Sequence, residues 1–309
     1  MSDKKIAIGF LGPDWTFSYE ALLTFKSRTT RTDIKEAQAK AYLSFAFLYA
    51  YLHSTLTEID KVFIPIENSS AGGVAGNLDL IAAINTEDIF IEAEHIEPIK
   101  HCLGVKAPYK SLSDIPNFDK IVIASHPQPI EQSSKFISDN FAHYKITIYN
   151  TNSTVGAIQL AAGTHEQNKQ FPTDAVILAI ASEKALKAAG LNIIAYNIED
   201  NSNNATRFVL LGSDKTKPTG YDKTSIVITL PADKAGALYE VLGVLAKSEP
   251  PINMTKIESR PTKDEMGEYW FFIDIEGHQD EEHIGKALEQ IKAKSKEYKF
   301  LGSYPRFRR

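Results

Sequence analysis

Asn201-Ser-Asn-Asn-Ala-Thr-Arg-Phe208 leads directly into the apolar run Val209-Leu-Leu-Gly212, and this stretch closes the first domain of the chain. An apolar run that follows polar turn residues is typical of a buried strand. The octet supplies amides, a hydroxyl that can relay a proton and the fixed cationic fork of an arginine. At the mouth of a buried strand, such a set suits a small polycarboxylate whose reaction needs one oxygen protonated. Taken alone, the octet is better explained as an ordinary polar turn.

The length and composition of the chain indicate a soluble protein of about two domains. With 43% hydrophobic residues among 309, either half can bury its own core. The net charge of -5 argues against nucleic acid as a partner. A single cysteine, Cys102, excludes an internal disulfide and a multi-cysteine metal site. Because no apolar run is long enough to cross a membrane and no signal peptide pattern precedes the first strand, we expect a cytoplasmic protein.

Strands alternate with helices through the first two thirds of the chain, which predicts an α/β domain with a largely parallel sheet. In such sheets, ligands bind beyond the carboxyl ends of the strands. We also expect a strand at Ile34–Ala39 and a helix at Ser44–His53. The clearest strands are predicted at Ile6–Leu11, Lys61–Ile66, Lys120–Ala124, Ile146–Tyr149 and Asp174–Leu178.

A polar pattern recurs where predicted strands end and helices begin. It occurs at Thr16, Asn68-Ser69, Ser125 and Ser153-Thr154. Helix N-termini bind carboxylates without many formal charges, because the N–H groups of the first turn are unpaired. Two lobes that present such termini to each other would hold a dicarboxylate between them. Each turn by itself is more simply explained as an ordinary N-cap, which α/β proteins need anyway.

The last part of the chain predicts a separate and smaller unit. A linker over residues 214–222 contains the run Lys215-Thr-Lys-Pro-Thr-Gly220. Residues 223–309 then show the element order βαββαβ of a ferredoxin-like fold. Such a sheet has an edge that side-by-side dimers could bury. Gly236 follows the first strand of this unit and either lets a ligand approach the backbone or serves as a turn glycine.

In their order along the chain, these motifs resemble those of bacterial prephenate dehydratases, of the monofunctional kind with a C-terminal ACT domain. The family's Gly-Pro-x-Gly-Thr-Phe loop is similar to Gly12–Phe17, with Trp15 in place of the second glycine. Gly236-Ala-Leu238 and the segment Asn253–Pro261 resemble the two phenylalanine-binding motifs of the family. The other family motifs stand here as Pro65-Ile-Glu-Asn-Ser69, Ser125-His-Pro-Gln128, Ser153-Thr154, Asp200, Asn204 and Thr206-Arg-Phe208.

The resemblance implies an α/β protein with a two-lobed catalytic domain of the periplasmic-binding-protein type (type II) over residues 1–213, whose second lobe lies around residues 100–190. It implies that prephenate loses carbon dioxide and its ring hydroxyl to give phenylpyruvate, without metal or cofactor. It also implies feedback inhibition by phenylalanine, bound between paired ACT domains in a homodimer or homotetramer.

Specific site residues follow from the same resemblance. Thr206 corresponds to the family's essential catalytic residue. The predicted substrate-binding residues are Thr16, Asn68, Ser69, Ser125, Ser153, Thr154, Asn204, Arg207 and Phe208. The predicted effector-binding residues are Gly236, Ala237, Leu238, Asn253 and Met254.

Several points stay open from the sequence. Trp15 resists the positive φ and the close backbone approach that glycine permits, so either the loop is rearranged or the indole walls the cleft. Glu67 would repel a dianion, and we expect it to hold loop backbone instead. The Thr206 hydroxyl needs a polarising partner, either Arg207 or a neighbouring amide. The alternative functions are arogenate dehydratase, prephenate decarboxylase and a non-catalytic sensor of aromatic metabolites.

Overall fold

The chain folds around three β-sheets with helices packed against them. The computed structural model describes residues 5–52, 58–83, 88–115, 120–231, 235–262 and 266–308. Two sheets form the two lobes of the first domain, and the third sheet forms the smaller domain after the linker. This architecture confirms the predicted fold class, a two-lobed α/β domain of the periplasmic-binding-protein type followed by a ferredoxin-like unit.

The first lobe contains a mixed sheet. Its strands are β1 Ala7–Leu11, β2 Gln38–Tyr42, β3 Lys61–Asn68, β4 Gly72–Gly73, β5 Phe90–Pro98 and, much later in the chain, β11 Ala205–Gly212. They are ordered β2-β1-β3-β11-β5, and the short β4 pairs with β3. β11 runs antiparallel to both of its neighbours, whereas β1 runs parallel to β2 and β3. The last strand of the domain therefore lies in the middle of the first lobe.

The second lobe repeats this plan. Its strands are β6 Cys102–Val105, β7 Ile121–Ser125, β8 Ile146–Asn150, β9 Val176–Ala181 and β10 Asn192–Tyr196. They are ordered β10-β6-β9-β7-β8, with β6 antiparallel to both neighbours. β7 is parallel to β8 and β9. Its residues from Ile121 to Ala124 are apolar and buried, and they lead to the buried Ser125 at the end of the strand.

Helices cover both sheets. They are α1 Phe17–Arg28, α2 Thr32–Glu36, α3 Phe45–Leu52, α4 Ala75–Ala83, α5 Pro127–Glu131, α6 Ser134–Phe141, α7 Thr154–Ala162 and α8 Glu183–Ala188. Short 3-10 helices lie at Leu112–Asp114 and Glu166–Gln170. The strand predicted at Ile34–Ala39 is wrong at its start: Ile34 is buried on the one-turn helix α2, and β2 begins only at Gln38. One apolar residue between polar ones fits either periodicity. The predicted end of the α3 helix at His53 lies outside the described residues.

The chain crosses between the lobes twice, and the two crossings are joined by hydrogen bonds. The first crossing follows β5, and the second precedes β11. The Ile99 N–H donates to Asn204 O at 2.8 Å, and the Ile198 N–H donates to His101 O at 3.0 Å. Polar side chains from both crossings are thereby brought to the base of the cleft between the lobes.

The smaller domain has the predicted βαββαβ order. Its elements are β12 Asp222–Thr229, α9 Ala237–Ala246, β13 Met254–Pro261, β14 Tyr269–Glu276, α10 Glu282–Lys294 and β15 Glu297–Pro305. The sheet order is β13-β14-β12-β15, and α9 and α10 pack on one face of it. None of the helices described in the chain combines the length and apolar character needed to cross a membrane.

The other face of this third sheet packs against the first lobe. One apolar cluster contains Ile91 and Val209 of the first lobe together with Leu301 and Tyr304 of β15. The contact is close at Gly302, where an added Cβ would lie 2.5 Å from the backbone oxygen of Ile91. A glycine is therefore required for the two sheets to approach this closely. The sheet of the small domain is covered on both faces, by its own helices and by the lobe that contains β11.

Candidate active site

A cavity of ≈ 350 Å³ lies in the cleft between the two lobes. Its apolar walls include Phe17, Phe45, Ile99 and Phe208. Its polar lining comes from α1, β3 and β11 in the first lobe, from both ends of α5 and the start of α7 in the second, and from His101 in the first crossing. Lys, Arg, Asp and Glu do not occur among the described residues that line the cavity. An anion in this cleft would therefore be held by neutral hydrogen-bond donors.

Thr206 and Asn68 form the centre of the polar lining. The two residues are direct partners in the register of β11 and β3. The side-chain Nδ2 of Asn68 donates to Thr206 Oγ1 at 2.9 Å. Because the threonine oxygen accepts this bond, its own proton is left to point into the cleft. A neutral amide thus polarises the hydroxyl, which answers the question that the sequence left open.

The orientation of the Asn68 amide is fixed by the backbone of the hairpin that joins β3 to β4. Asn68 Oδ1 accepts from the N–H groups of Ser70 at 3.0 Å and Ala71 at 2.9 Å. Backbone N–H groups can only donate, so the oxygen must face the hairpin and the nitrogen must face Thr206. The local turn chemistry of residues 68–71 therefore determines which atom meets the hydroxyl.

A chain of hydrogen-bonded side-chain amides continues from Asn68 across the base of the cleft. Asn68 Nδ2 also donates to Asn204 Oδ1 at 2.9 Å, and Asn204 Nδ2 donates to Gln132 Oε1 at 2.9 Å. Gln132 Nε2 returns to Asn68 Oδ1 at 3.3 Å. Asn68 and Asn204 are both buried. This chain of amides links β3, the second crossing and α5, so it connects the two lobes directly behind Thr206.

His101 ends this chain as a neutral imidazole. Its Nε2 lies 3.0 Å from Gln132 Oε1, an acceptor, so Nε2 carries the proton. Burial lowers the pKa of His101, which favours the uncharged ring. Among the described residues, its Nδ1 has no hydrogen-bond partner. Phe17 packs edge-on against the ring, with the centroids 5.4 Å apart.

Two helices point their N-termini into the cavity from opposite lobes. Thr16 caps α1 by accepting from the Tyr19 N–H, and Ser153 caps α7 by accepting from the Gly156 N–H at 3.1 Å. In the described structure, the first-turn N–H groups of residues 17, 18, 154 and 155 have no acceptor. Free N–H groups and the positive end of the helix dipole make each terminus a site for an anion.

The structure brings the predicted catalytic residue and most predicted substrate-binding residues to this cavity. Those that line it are Thr16, Asn68, Ser153, Thr154, Thr206 and Phe208. Asn204 lies just behind the lining, in the amide chain. Gln132, His101 and His126 also line the cavity but were not among the predicted site residues. A signal was available for His126, which lies within the Ser125-His-Pro-Gln128 motif, whereas Gln132 lies four residues beyond that motif and nothing near His101 in the sequence marks it as a cleft residue.

Three predicted substrate-binding residues lie elsewhere. Ser125 is fully buried and donates from Oγ to Ile180 O at 2.7 Å, so it joins β7 to β9. Ser69 bonds Ala205 N at 2.9 Å and Asn203 O at 3.2 Å, and thereby holds the loop before β11. Arg207 points to the opposite face of its strand from Thr206, toward the small domain. None of the three lines the cavity.

Trp15 and Glu67 both face away from the cavity. Trp15 adopts φ 70°, the left-handed conformation that glycine takes readily, so the loop keeps a glycine-like backbone at this position. Its indole packs edge-on against Tyr19, with centroids 5.8 Å apart, rather than lining the cleft. Glu67 points toward the small domain, where its carboxylate lies 3.3 Å from Lys256 Nζ. It therefore does not repel an anion in the cleft.

The predicted effector-binding residues form two groups at opposite ends of the small domain. Gly236 (φ 82°), Ala237 and Leu238 lie at the N-terminus of α9. Asn253 and Met254 lie beyond its C-terminus, where the Ile252 N–H bonds Leu245 O at 3.0 Å. Since α9 has 10 residues, about 15 Å of helix separates the two groups within one chain.

Two family models match the chain in tandem. The model for prephenate dehydratase matches residues 8–216, and the model for the ACT domain matches residues 224–293. A bifunctional chorismate mutase/prephenate dehydratase from Aquifex aeolicus is 34% identical over 313 residues, which cover 98% of this chain and 75% of the relative. A prephenate dehydratase from Mycobacteroides abscessus is 30% identical, over 97% of this chain and 90% of the relative.

A solved structure shows the same arrangement of domains. The prephenate dehydratase from Arthrobacter aurescens, in complex with L-Phe, superposes with a TM-score of 0.78 at 30% sequence identity. The superposition covers 97% of this chain and 90% of that chain. The similarity therefore extends across both lobes and the small domain.

Proposed function

The chain belongs to the prephenate dehydratase family and carries that family's ACT domain, and on this premise we propose how its cleft performs the reaction. The enzyme converts prephenate into phenylpyruvate, carbon dioxide and water. The observation that carries the proposed mechanism is the hydrogen bond from Asn68 to Thr206, which leaves one polarised hydroxyl facing a cavity whose described lining contains no Lys, Arg, Asp or Glu.

The two carboxylates of prephenate bind at the two helix N-termini, one in each lobe. The α1 terminus offers the N–H groups of residues 17 and 18, and the α7 terminus offers those of residues 154 and 155. Oriented N–H groups hold an anion without a charged side chain, and a water-excluded cleft strengthens each bond. Neutral donors also avoid a strong ion pair to the ring carboxylate, which must lose its charge as carbon dioxide leaves.

Thr206 assists the departure of the ring hydroxyl. The bond between the ring and its carboxylate breaks, the electron pair enters the ring, and the C–O bond breaks as the ring becomes aromatic. The departing oxygen takes the proton of Thr206 and leaves as water, and the threonine regains a proton from solvent. Asn68 stabilises the negative charge that develops on Thr206 Oγ1, because its amide hydrogen bond shortens as that charge grows.

The composition of the cavity favours prephenate over its amino-acid analogue, arogenate. Arogenate carries an ammonium group in place of the side-chain keto group. Carboxylate side chains are absent from the described residues that line the cavity, so an ammonium group would find no opposite charge there. Side-by-side initial rates on the two substrates measure this preference directly, and equal rates would contradict it.

Replacement of Thr206 tests the mechanism. We expect Thr206→Ala to lower kcat by about 10³-fold with little change in KM, because general acid assistance contributes about 10²–10⁴-fold. The matched variant Thr206→Ser keeps the hydroxyl and should retain most of the activity. Formation of phenylpyruvate is followed by its ultraviolet absorbance. An alanine variant with near wild-type kcat would show that the hydroxyl does not assist the reaction.

We infer that phenylalanine regulates this enzyme through the ACT domain. Support comes from the relative of known structure, which holds L-Phe, and from the two groups of predicted effector residues. Because those groups lie at opposite ends of α9, a ligand that contacts both must bind between two copies of the chain. Phenylalanine should lower the activity and raise the melting temperature, since it binds the folded state. The homodimer or homotetramer and the cytoplasmic location stay predictions from the sequence.

A further inference from the structure

β3 and β11, the strands that carry Asn68 and Thr206, have a second, charged pair of residues on the face turned away from the cleft. Side chains alternate along a strand, so Arg207 and Glu67 point away from the cleft where Thr206 and Asn68 point into it. Arg207 and Glu67 are also partners in the register of β11 and β3. Their side chains are 3.4 Å apart, from Nη1 to Oε2. The sheet of the ACT domain (the ACT sheet, β12 to β15) packs directly on this face.

Arg207 is bound by the ACT domain and by the neighbouring strand at the same time. Its Nη1 bonds Asp274 Oδ2 at 2.6 Å and its Nη2 bonds Tyr304 at 2.8 Å, both in the ACT sheet. Its Nε bonds Glu94 Oε2 at 2.8 Å, on β5. Glu94 is shared with Lys223 Nζ at 2.8 Å. The planar guanidinium fork thus has partners on three sides, which fixes its position.

The direction of each hydrogen bond between Ser225, Asp274 and Tyr304 follows from the number of hydroxyl protons available. Ser225 has one hydroxyl proton, and it donates to Asp274 Oδ1 at 2.5 Å. Tyr304 must then donate to Ser225 Oγ, which lies 2.6 Å away, and accept from Arg207. Burial raises the pKa of Tyr304, so the phenol keeps this proton. Burial alone would raise the pKa of Asp274, but Arg207 and Ser225 outweigh it and lower that pKa.

The ACT domain also grips the β3 side of the pair. Lys256, on β13, lies 3.3 Å from the Glu67 carboxylate and 3.0 Å from that of Glu258. Farther along β13, Arg260 Nε bonds Asp79 of α4 at 2.7 Å. β13 therefore contacts both the rear of the hairpin formed by β3 and β4 and the helix α4 that follows this hairpin. The same strand begins at Met254, which with Asn253 is one of the predicted effector residues.

We propose that Arg207 is a positioning residue, through which the ACT sheet sets the place of the Thr206–Asn68 pair and through which phenylalanine acts on catalysis. The proposal rests on the proposed function of Thr206 and on phenylalanine binding to the ACT domain. A shift of the ACT sheet moves Asp274 and Tyr304, and the guanidinium must follow because its buried charge cannot be left unpaired. Thr206 directly precedes Arg207 on β11, so the Thr206 hydroxyl moves when the guanidinium moves.

The variant Tyr304→Phe tests this coupling, because it removes a single hydroxyl and keeps the buried ring. We expect kcat to fall about tenfold, equivalent to about 1.4 kcal/mol in the barrier, with KM nearly unchanged. We also expect the maximal inhibition by saturating phenylalanine to shrink, while phenylalanine binding measured by calorimetry is retained. Loss of binding energy alone would not produce this separation of kcat from KM.

The matched control is Thr216→Val. Thr216 Oγ1 bonds Ser303 O and lies 3.3 Å from His278 Nε2, so its loss also removes a hydroxyl between the linker and the ACT sheet. This contact does not reach β3 or β11, and the variant should keep wild-type kcat and inhibition. Should Tyr304→Phe not yield folded protein, Arg207→Lys is measured by the same readouts, since lysine keeps the charge but not the fork.

The possible results separate the proposals. If Tyr304→Phe matches Thr216→Val in kcat and in maximal inhibition, the positioning role is overturned. If kcat falls but phenylalanine inhibits as fully as in the wild type, Arg207 positions Thr206 but does not transmit the phenylalanine signal. If the wild-type enzyme itself is not inhibited by phenylalanine, the proposed regulation fails, and the kcat comparison still decides the positioning role.

Discussion

At the scale of single residues, the proposed mechanism depends on which atom of the Asn68 amide faces the Thr206 hydroxyl. Asn68 Oδ1 is held by two backbone N–H groups of its own hairpin, so Nδ2 is the only group it can offer to Thr206. Thr206, in turn, is left with a proton to donate. A short local turn therefore sets the polarity of the catalytic pair, and no charged side chain is needed beside it.

Replacement of Asn68 by aspartate tests this arrangement. The variant Asn68→Asp keeps an oxygen for the Ser70 and Ala71 N–H groups, but it replaces the donor to Thr206 with an acceptor. We expect kcat to fall by about 10²-fold, the cost of losing one oriented donor at a developing anion, with the fold retained. Steady-state kinetics and a thermal melt measure the two effects. Unchanged kcat in a folded variant would mean that Asn68 does not polarise the hydroxyl.

At the scale of elements, helix caps and substrate recognition use the same N-termini. Thr16 and Ser153 each satisfy one N–H group of the first turn and leave the preceding N–H groups free to face the cavity. The cap and the bound anion therefore compete for neither donors nor space. In the proposed binding mode, these free N–H groups take the place of the lysine and arginine side chains that the described lining of the cleft does not contain.

Ser153 allows stability and binding to be separated. Ser153→Ala removes the cap of α7 and should cost about 1 kcal/mol of stability. Ser153→Asp keeps a capping oxygen but places a negative charge beside the substrate, and we expect it to raise KM by about 10²-fold through repulsion between like charges. Of these two variants, Ser153→Asp is thus expected to have both the higher melting temperature and the higher KM. An aspartate variant with wild-type KM would show that no carboxylate binds at α7.

At the scale of the whole molecule, the ACT domain is part of the support of the active site. Its sheet lies between its own helices and the first lobe, and its charged residues Asp274 and Lys256 hold the rear of β11 and β3. In the proposed coupling, a regulatory ligand shifts the sheet of the ACT domain against the first lobe, and the buried ion pairs carry this shift to the strand that holds Thr206.

The inferred effector site makes a prediction about pairs of chains. Gly236→Val, at a position with φ 82°, and Asn253→Ala should each abolish phenylalanine binding when all chains carry the change. If each site takes Gly236 from one chain and Asn253 from its partner, a mixed pair of the two variants rebuilds one intact site. Co-expression with two affinity tags isolates the mixed species, and calorimetry should find half the wild-type number of sites. No binding to the mixed species would place both residues in a site within one chain.

The sequence by itself determined the domain order, the alternation of strands and helices, and the polar turns that become helix N-termini, because caps and strand patterns depend on neighbours within a few residues. Asn68 and Ser153 belong to these polar turns, whereas the catalytic role of Thr206 was implied by the family resemblance. Only the tertiary structure decided that Asn68 rather than Arg207 polarises Thr206, that Gln132 and His101 belong to the cleft, and that Ser125 does not. These outcomes depend on which face of a strand meets which neighbour. The partners of Arg207 in the ACT sheet lie 67 and 97 residues away in the chain, beyond the reach of any local pattern.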